Sequence, residues 1–398
     1  MTDRTGVVET GLDVLASEGC RRLAGLRVGL VANPTGITRD RRHCLDVLLE
    51  CGIRVVALFG PEHGIRGDHD ETFRVASTVD EQTGLPVHSL FSSITRPTPE
   101  MLRGIDALVF DIADVGVRYY TYTTTLAYCM EEAARAGIRV VVLDRPNPIT
   151  CVRAEGPVLE PAFRGLAAHH RVPTRHGLTA GELARFANAE YGIGCELEVV
   201  PCRGWRRAMW FDETGLPWVN PSPNLRNLNQ VTLYPVLCGI EFSEIAVGRG
   251  TDSPFEVFGA PYMDGVKLAA QLNEVVDPGL RFVPIEFTPR SHRFAGERCS
   301  GCFLFTTDRD AMCPVEANVR LACELARMYP RQFDAGRSER LLGGPAIAAA
   351  IQAGTPAEEI IAAWQEGLEE YLKRRRGYLL YDRGNAGDRK ARVGTGGS

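Results

Sequence analysis

Nearly continuous apolar runs punctuate the amino-terminal half of the chain, at residues 27–32, 55–59, 107–112, 139–143 and 196–200. Each gives way at once to turn-forming and polar residues. Between them, residues 11–23, 44–51 and 126–136 carry apolar side chains at helical spacing. A further helix, to about residue 189, is opened by a capping box of Thr179 and Glu182. A short strand is expected at 87–91. Strands that are apolar on both faces and alternate with helices define an α/β chain with a doubly wound parallel sheet. Neither G-x-G-x-x-G nor G-x-x-x-x-G-K-[ST] occurs, so neither a dinucleotide nor a P-loop phosphate site is indicated.

Residues 205–262 interrupt the alternation with a long segment rich in Trp, Pro, Asn and Gly, which reads as irregular and functional. A second set of elements follows: a helix at 266–276, strands near 281–287 and 302–306, and a helix at 315–329. The last helix is expected to be capped by Thr355 with Pro356 at its first position, and 379–381 could add an edge strand. At 398 residues the chain is long for one core. The expected division is an amino-terminal domain over 1–235, a smaller α/β domain over 236–382 and a disordered Gly- and charge-rich tail over 383–398.

The composition, 44% apolar and 24% charged with a net charge of −5, is that of an ordinary globular protein with no electrostatic reason to bind nucleic acid. No basic-then-apolar leader and no bilayer-length apolar run are seen, so a cytoplasmic protein without membrane association is expected. The twelve cysteines are scattered and read as buried thiols. Cys299 and Cys302 form a lone C-x-x-C without a second pair, and His63, Asp68 and His69 match no ligand spacing, so no metal and no other cofactor is expected. His169, His170 and His176 read as exposed or turn-stabilising loop residues. No G-x-S-x-G elbow occurs, which speaks against a serine hydrolase.

The polar clusters after the strands carry the chemistry. They hold Asn33 and Thr35; then Glu62, His63, Arg66 and Asp68; then Asp111, Asp114, Arg118, Tyr119 and Tyr122; then Asp144, Arg145 and Asn147. In a parallel sheet these ends share one edge, where open α/β folds place their sites. Aromatic rings with Asn, Asp and Arg side chains suit a sugar, and an arginine fork suits a carboxylate on it. Two carboxylates across a cleft are the minimal equipment for glycoside hydrolysis, one as acid and one as base or nucleophile. Glu62 is the leading acid, because it follows the end of a buried strand, where loss of water favours the protonated form. Asp111, Asp114, Glu155 and Glu241 remain in competition for the second role, each open to the simpler reading of an ion pair with a nearby arginine.

Several motifs carry a family resemblance: FGPEHGIRGD (59–68), VDEQTGLPVHSL (79–90), FDIADVGVRYYTY (110–122), VLDRPNPI (142–149), EGPVLEP (155–161), RHGLTAGELA (175–184), GLPWVNPSPN (215–224) and GRGTDSPFEVFGAP (248–261). Together they resemble the exo-β-N-acetylmuramidase family, over nearly the whole chain. The resemblance implies a Rossmann-like amino-terminal domain, a smaller α/β domain and a site in the cleft between them. It implies release of N-acetylmuramic acid from the non-reducing end of peptidoglycan fragments without a cofactor, with Glu62 as catalytic acid. Asn220, Asn224 and Arg249, in the family blocks, join the candidates for substrate contact. The chain departs from the family pattern at Ala113, where a glutamine is expected, at Thr150-Cys151, where a glycine pair is expected, and at Glu244, where an asparagine is expected. These departures keep open a non-catalytic wall-fragment binding protein, or a hydrolase acting on a different glycoside.

Overall fold

The structure, a computed structural model, describes residues 7–65, 78–91, 93–276 and 279–381. The expectations for Arg66, Asp68, His69 and the tail over 383–398 fall outside these described residues.

The amino-terminal half builds strands β1 (Arg27–Ala32), β2 (Arg54–Gly60), β3 (Thr78–Val79), β4 (Pro86–Ser89), β5 (Ala107–Asp111) and β6 (Arg139–Leu143). A two-stranded antiparallel ribbon, β7 (Glu155–Val158) with β8 (Pro173–Arg175), and strand β9 (Leu197–Val200) complete it. The main sheet runs β3-β4-β2-β1-β5-β6-β9, parallel throughout except for β3. The order reverses around β1, so the loops after β1 and β5 flank the switch point of the sheet.

Successive residues of each strand feed two different cores, which is why the runs are apolar throughout. Leu30, Val109 and Val141 pack with Leu12 and Leu15 of α1 (Gly11–Ser17) and with Leu45 and Leu48 of α2 (Cys44–Glu50). Val31, Leu108, Phe110 and Val142 pack with Leu126, Cys129 and Met130 of α3 (Thr121–Ala136) and with Ala180 and Ala184 of α4 (Ala180–Glu190).

This second core runs on through α5 (Leu228–Leu237) into a smaller unit. There an antiparallel sheet of β10 (Val257–Ala260), β12 (Cys299–Thr306) and β11 (Leu280–Phe287) packs against α6 (Gly265–Val275), and α7 (Pro314–Met328) packs on α5 and α6. Short helices α8 (Glu339–Leu342), α9 (Pro345–Gln352) and α10 (Ala357–Ala363) follow. The last, α11 (Gln365–Arg375), returns to the first unit: Tyr371 donates to His176 O at 2.7 Å, and beyond it the Tyr381 hydroxyl donates to Asp144 Oδ2 at 2.5 Å.

The differences from expectation have local causes. The opening helix stops at Ser17, because Gly19 and Cys20 both turn left-handed, and a separate 3₁₀ turn follows at Arg21–Leu23. The final helix is two helices that meet at Trp364, with Pro356 as cap rather than first helical residue. Residues 379–381 pair with no strand. The irregular segment contains α5 and β10. Among the described residues no helix is long and apolar enough to cross a membrane, and all twelve cysteines are unbridged.

Candidate active site

Strand β2 hands the chain to a tight turn at its carboxyl end. Gly60 lets the returning chain lie close: a Cβ there would stand 3.1 Å from the Ile65 amide nitrogen. The Gly64 amide donates to Pro61 O at 2.9 Å, and His63 and Gly64 are both left-handed, with φ of 70° and 76°. For histidine that conformation costs about 1–2 kcal/mol.

The Glu62 carboxylate is met by the start of α3. Thr121 Oγ1 donates to Glu62 Oε2 at 2.6 Å, and Tyr122 Oη donates to the Glu62 carbonyl at 3.3 Å. Tyr120 and Tyr122 also both donate to Pro221 O at 2.8 Å, binding the Asn/Pro-rich segment to the same helix end. Helix α3 begins five residues before the apolar pattern does, through Thr121, Thr123, Thr124 and Thr125. β-Branched threonines are weak helix formers, which hides this turn in the sequence. Burial of Tyr122 and Thr124 overrides the propensity.

Glu62 lines a cavity of about 540 Å3 between the two units. Around it stand Tyr119, Thr121, Tyr234, Cys238, Glu241, Phe242, Arg249, His292 and Arg293. Glu241 follows α5 and forms an ion pair with Arg249, while the Cys238 thiol donates to its Oε2 at 3.3 Å. The aromatic wall is continuous: Tyr119 meets Tyr234 edge-on at 5.4 Å, Tyr234 meets Phe255 at 4.7 Å, and the Arg249 guanidinium lies 5.5 Å from the Phe255 ring centre. Phe242 is 55% exposed beside Glu241, an apolar face open to a sugar ring. Burial pushes the Tyr119 and Tyr234 phenols and the Cys238 thiol well above their ordinary pKa values. All three therefore act here as neutral groups. Tyr119 Oη is buried without a hydrogen-bond partner; its polar neighbour is the Cys238 thiol, whose hydrogen is committed to Glu241.

Of the residues singled out in the sequence, Glu62, His63, Tyr119, Glu241 and Arg249 line this cavity. Tyr122 stands behind it as a support, and Asn224 lies buried two residues beyond Ser222 of the lining. Asn220 is exposed next to Pro221. The other described candidates sit elsewhere, engaged by the fold. Asp111 is fully buried and grips Arg145 through two bonds of 2.6 and 3.0 Å. Asn33 Oδ1 accepts from both the amide and the hydroxyl of Thr35, at 2.9 and 2.6 Å, an Asx turn that shapes the loop after β1. Asp114 lies 3.1 Å from His176 Nε2. Asp144 caps α4, accepting from Thr179 Oγ1 at 2.7 Å and the Gly181 amide at 2.8 Å. Glu155 pairs with Arg175 at 2.6 Å, inside the β7–β8 ribbon. Arg118 is fully buried and donates to the carbonyls of Pro157 and Val172; burial lowers its pKa to about 10.

The histidines read as exposed or turn-stabilising are all buried, and His176 does stabilise a turn, its Nδ1 accepting from the Leu178 amide at 3.2 Å. His169, His170 and His176 are 4%, 2% and 0% exposed, and burial pushes the first two down to a pKa of about 3. The family departures are also accommodated away from the cavity. Ala113 lines a separate small pocket of about 40 Å3. Thr150 is buried in a left-handed turn with φ of 65° and accepts from Arg175 Nη2 at 3.1 Å, while Cys151 is fully buried. Glu244 is held by Arg337 at 2.5 Å. Thr121, Tyr234, Cys238, Phe242 and Arg293 were not singled out. Their adjacency to chosen residues (Thr121 to the tyrosine run, Phe242 to Glu241) was the available signal.

Among the described residues no group of three His, Cys, Asp or Glu side chains converges as a metal-ligand set. A doubly wound sheet with a roomy interdomain cavity, two carboxylates and an aromatic wall has the equipment of a glycoside hydrolase. The chain belongs to the exo-β-N-acetylmuramidase family: the model of the amino-terminal part of exo-beta-N-acetylmuramidase NamZ matches residues 28–229 and that of its carboxyl-terminal part residues 232–381. It is 41% identical over 378 residues to the peptidoglycan beta-N-acetylmuramidase NamZ of Bacillus subtilis (strain 168), covering 94% of this chain and 91% of that one. Two crystal structures of DUF1343 family proteins from Bacteroides fragilis NCTC 9343 share the fold. One has a TM-score of 0.88 at 34% identity, covering 95% of this chain and all of the other. The second has a TM-score of 0.75 at 30% identity, covering 94% and 99%.

Proposed function

We propose that this protein is an exo-acting glycoside hydrolase that releases N-acetylmuramic acid from the non-reducing end of peptidoglycan-derived fragments. The observation that carries the reading is Glu62, held by Thr121 at 2.6 Å on the wall of a cavity large enough for a sugar. Glu62 is the acid that protonates the departing glycosidic oxygen. Glu241 is the second carboxylate, since it alone of the four competitors lines the same cavity. The paired Arg249 supplies its countercharge and the Cys238 thiol fixes its orientation. Tyr119 contributes its ring to the cavity wall. Phe242 packs against the sugar's C–H face.

The chemistry needs no cofactor. The twelve unbridged thiols suit a reducing compartment, so we place the enzyme in the cytoplasm, on wall fragments brought inside for recycling. A non-catalytic binding protein is disfavoured, because the departures at Ala113, Thr150, Cys151 and Glu244 leave the cavity lining untouched.

The test is release of phenol from an aryl β-N-acetylmuramide and from the matching N-acetylglucosaminide. Turnover confined to the muramide is expected. Release from neither, or equal release from both, would contradict the assignment.

A further inference from the structure

The loop over 288–298 joins β11 to β12 and reaches over the cavity that holds Glu62. It is built to hold a shape. His292 and Phe294 are both left-handed, with φ of 65° and 60°, a conformation disfavoured for non-glycine residues. Backbone bonds pin it: the Arg290 amide to Gly250 O, and the Gly296 amide to Pro289 O, both at 2.8 Å. Gly250 lets the loop lie directly against the strand of chain that carries Arg249, because a Cβ there would stand 2.3 Å from Ser291 O. Phe294 packs on the hydrophobic core from above.

Charge distinguishes one residue of this loop. Arg290 faces Asp252 at 3.7 Å, and Arg298 is paired with Glu286. Arg293 has no carboxylate partner among the described residues, and it lines the cavity. The other cationic side chain there, Arg249, is neutralised by Glu241. Arg293 is thus the uncompensated positive charge of the described lining, carried by a backbone-pinned loop on the cavity that also holds Glu62.

We infer that Arg293 selects the substrate by its charge: it binds the carboxylate of the lactyl ether that distinguishes muramic acid from glucosamine. This rests on the muramidase reading above and adds the residue that enforces it. A guanidinium fork matches a carboxylate with two parallel hydrogen bonds, and a neutral amide at the same position cannot accept that pair as an anion does. The Glu241 charge does not oppose the substrate, because Arg249 already balances it.

The test is kcat/KM for two aryl β-N-acetylmuramides, one with a free lactyl carboxylate and one with that group as its primary amide. Native protein, Arg293→Gln and Arg293→Lys are compared. The native enzyme is expected to prefer the acid by about tenfold or more. Arg293→Gln should lose that factor on the acid and stay within about twofold on the amide, with Arg293→Lys recovering part of the preference. An equal loss on both substrates, or no loss on either, would overturn the role of Arg293 while leaving the function intact. A native enzyme inactive on both would overturn the function reading and this inference with it.

Discussion

Thr121 Oγ1 donates to Glu62 Oε2 at 2.6 Å, so the first residue of α3 takes part in positioning the candidate acid. Thr121→Val removes that hydrogen bond and should loosen the carboxylate. The expected result is a drop in kcat of about tenfold, with stability changed by less than about 1 kcal/mol. Kinetics and denaturant melts on the same preparation check both halves.

Tyr119 offers a contrast. Its hydroxyl has no partner in the free protein, so Tyr119→Phe removes a buried orphan and should leave stability equal or slightly higher. The oxygen is sealed inside the wall, so kcat/KM on an aryl muramide should stay within about twofold. A loss of about tenfold or more would contradict this.

Asp111 is expected to matter for folding and not for chemistry. Asp111→Asn strands the buried Arg145 guanidinium, which the native carboxylate grips at 2.6 and 3.0 Å. The expected cost is about 3–5 kcal/mol in denaturant unfolding. Activity per folded molecule should remain within about twofold, since the pair stands apart from the cavity lining.

Asp144 gives a pH signature. Burial raises its pKa from the usual carboxylate range to about 6, against hydrogen bonds from Tyr381, Thr179 and the Gly181 amide that pull it down. A carboxyl with a raised folded pKa binds its proton more tightly in the native state. Its contribution is therefore complete below about pH 4 and is lost as pH rises through 6. The native protein, measured against Asp144→Asn, should lose about 3 kcal/mol of stability between pH 4 and 7. A difference that does not change with pH would contradict this.

Much of the sheet was legible because burial on both faces leaves no ambiguity of period: β1 and β6 stand where their apolar runs do. Helix α5 was not, because it is apolar all round and carries Pro235, so it shows neither an amphipathic stripe nor an uninterrupted helical pattern. The start of α3 was hidden by its threonines. In the site, Glu62 was readable from its place at a strand end. Asp111, Asp144 and Arg145 occupy equally suggestive positions, yet they turn inward to bind the backbone and one another. Strand-end position alone does not distinguish a site residue from a buried ion pair. That Arg293 and Glu62 line one cavity depends on how two units pack, which local pattern does not encode.

The most direct measurement varies the leaving group. Glu62→Gln and the native enzyme are compared on aryl β-N-acetylmuramides whose phenols range from weakly to strongly acidic. A strongly acidic phenol departs without a proton, so an acid catalyst matters least there. The expected result is a loss of about 10²–10⁴-fold on the weakly acidic phenol and a far smaller loss on the strongly acidic one. Equal losses across the series, or full activity in the variant, would contradict the assignment of Glu62 as the catalytic acid.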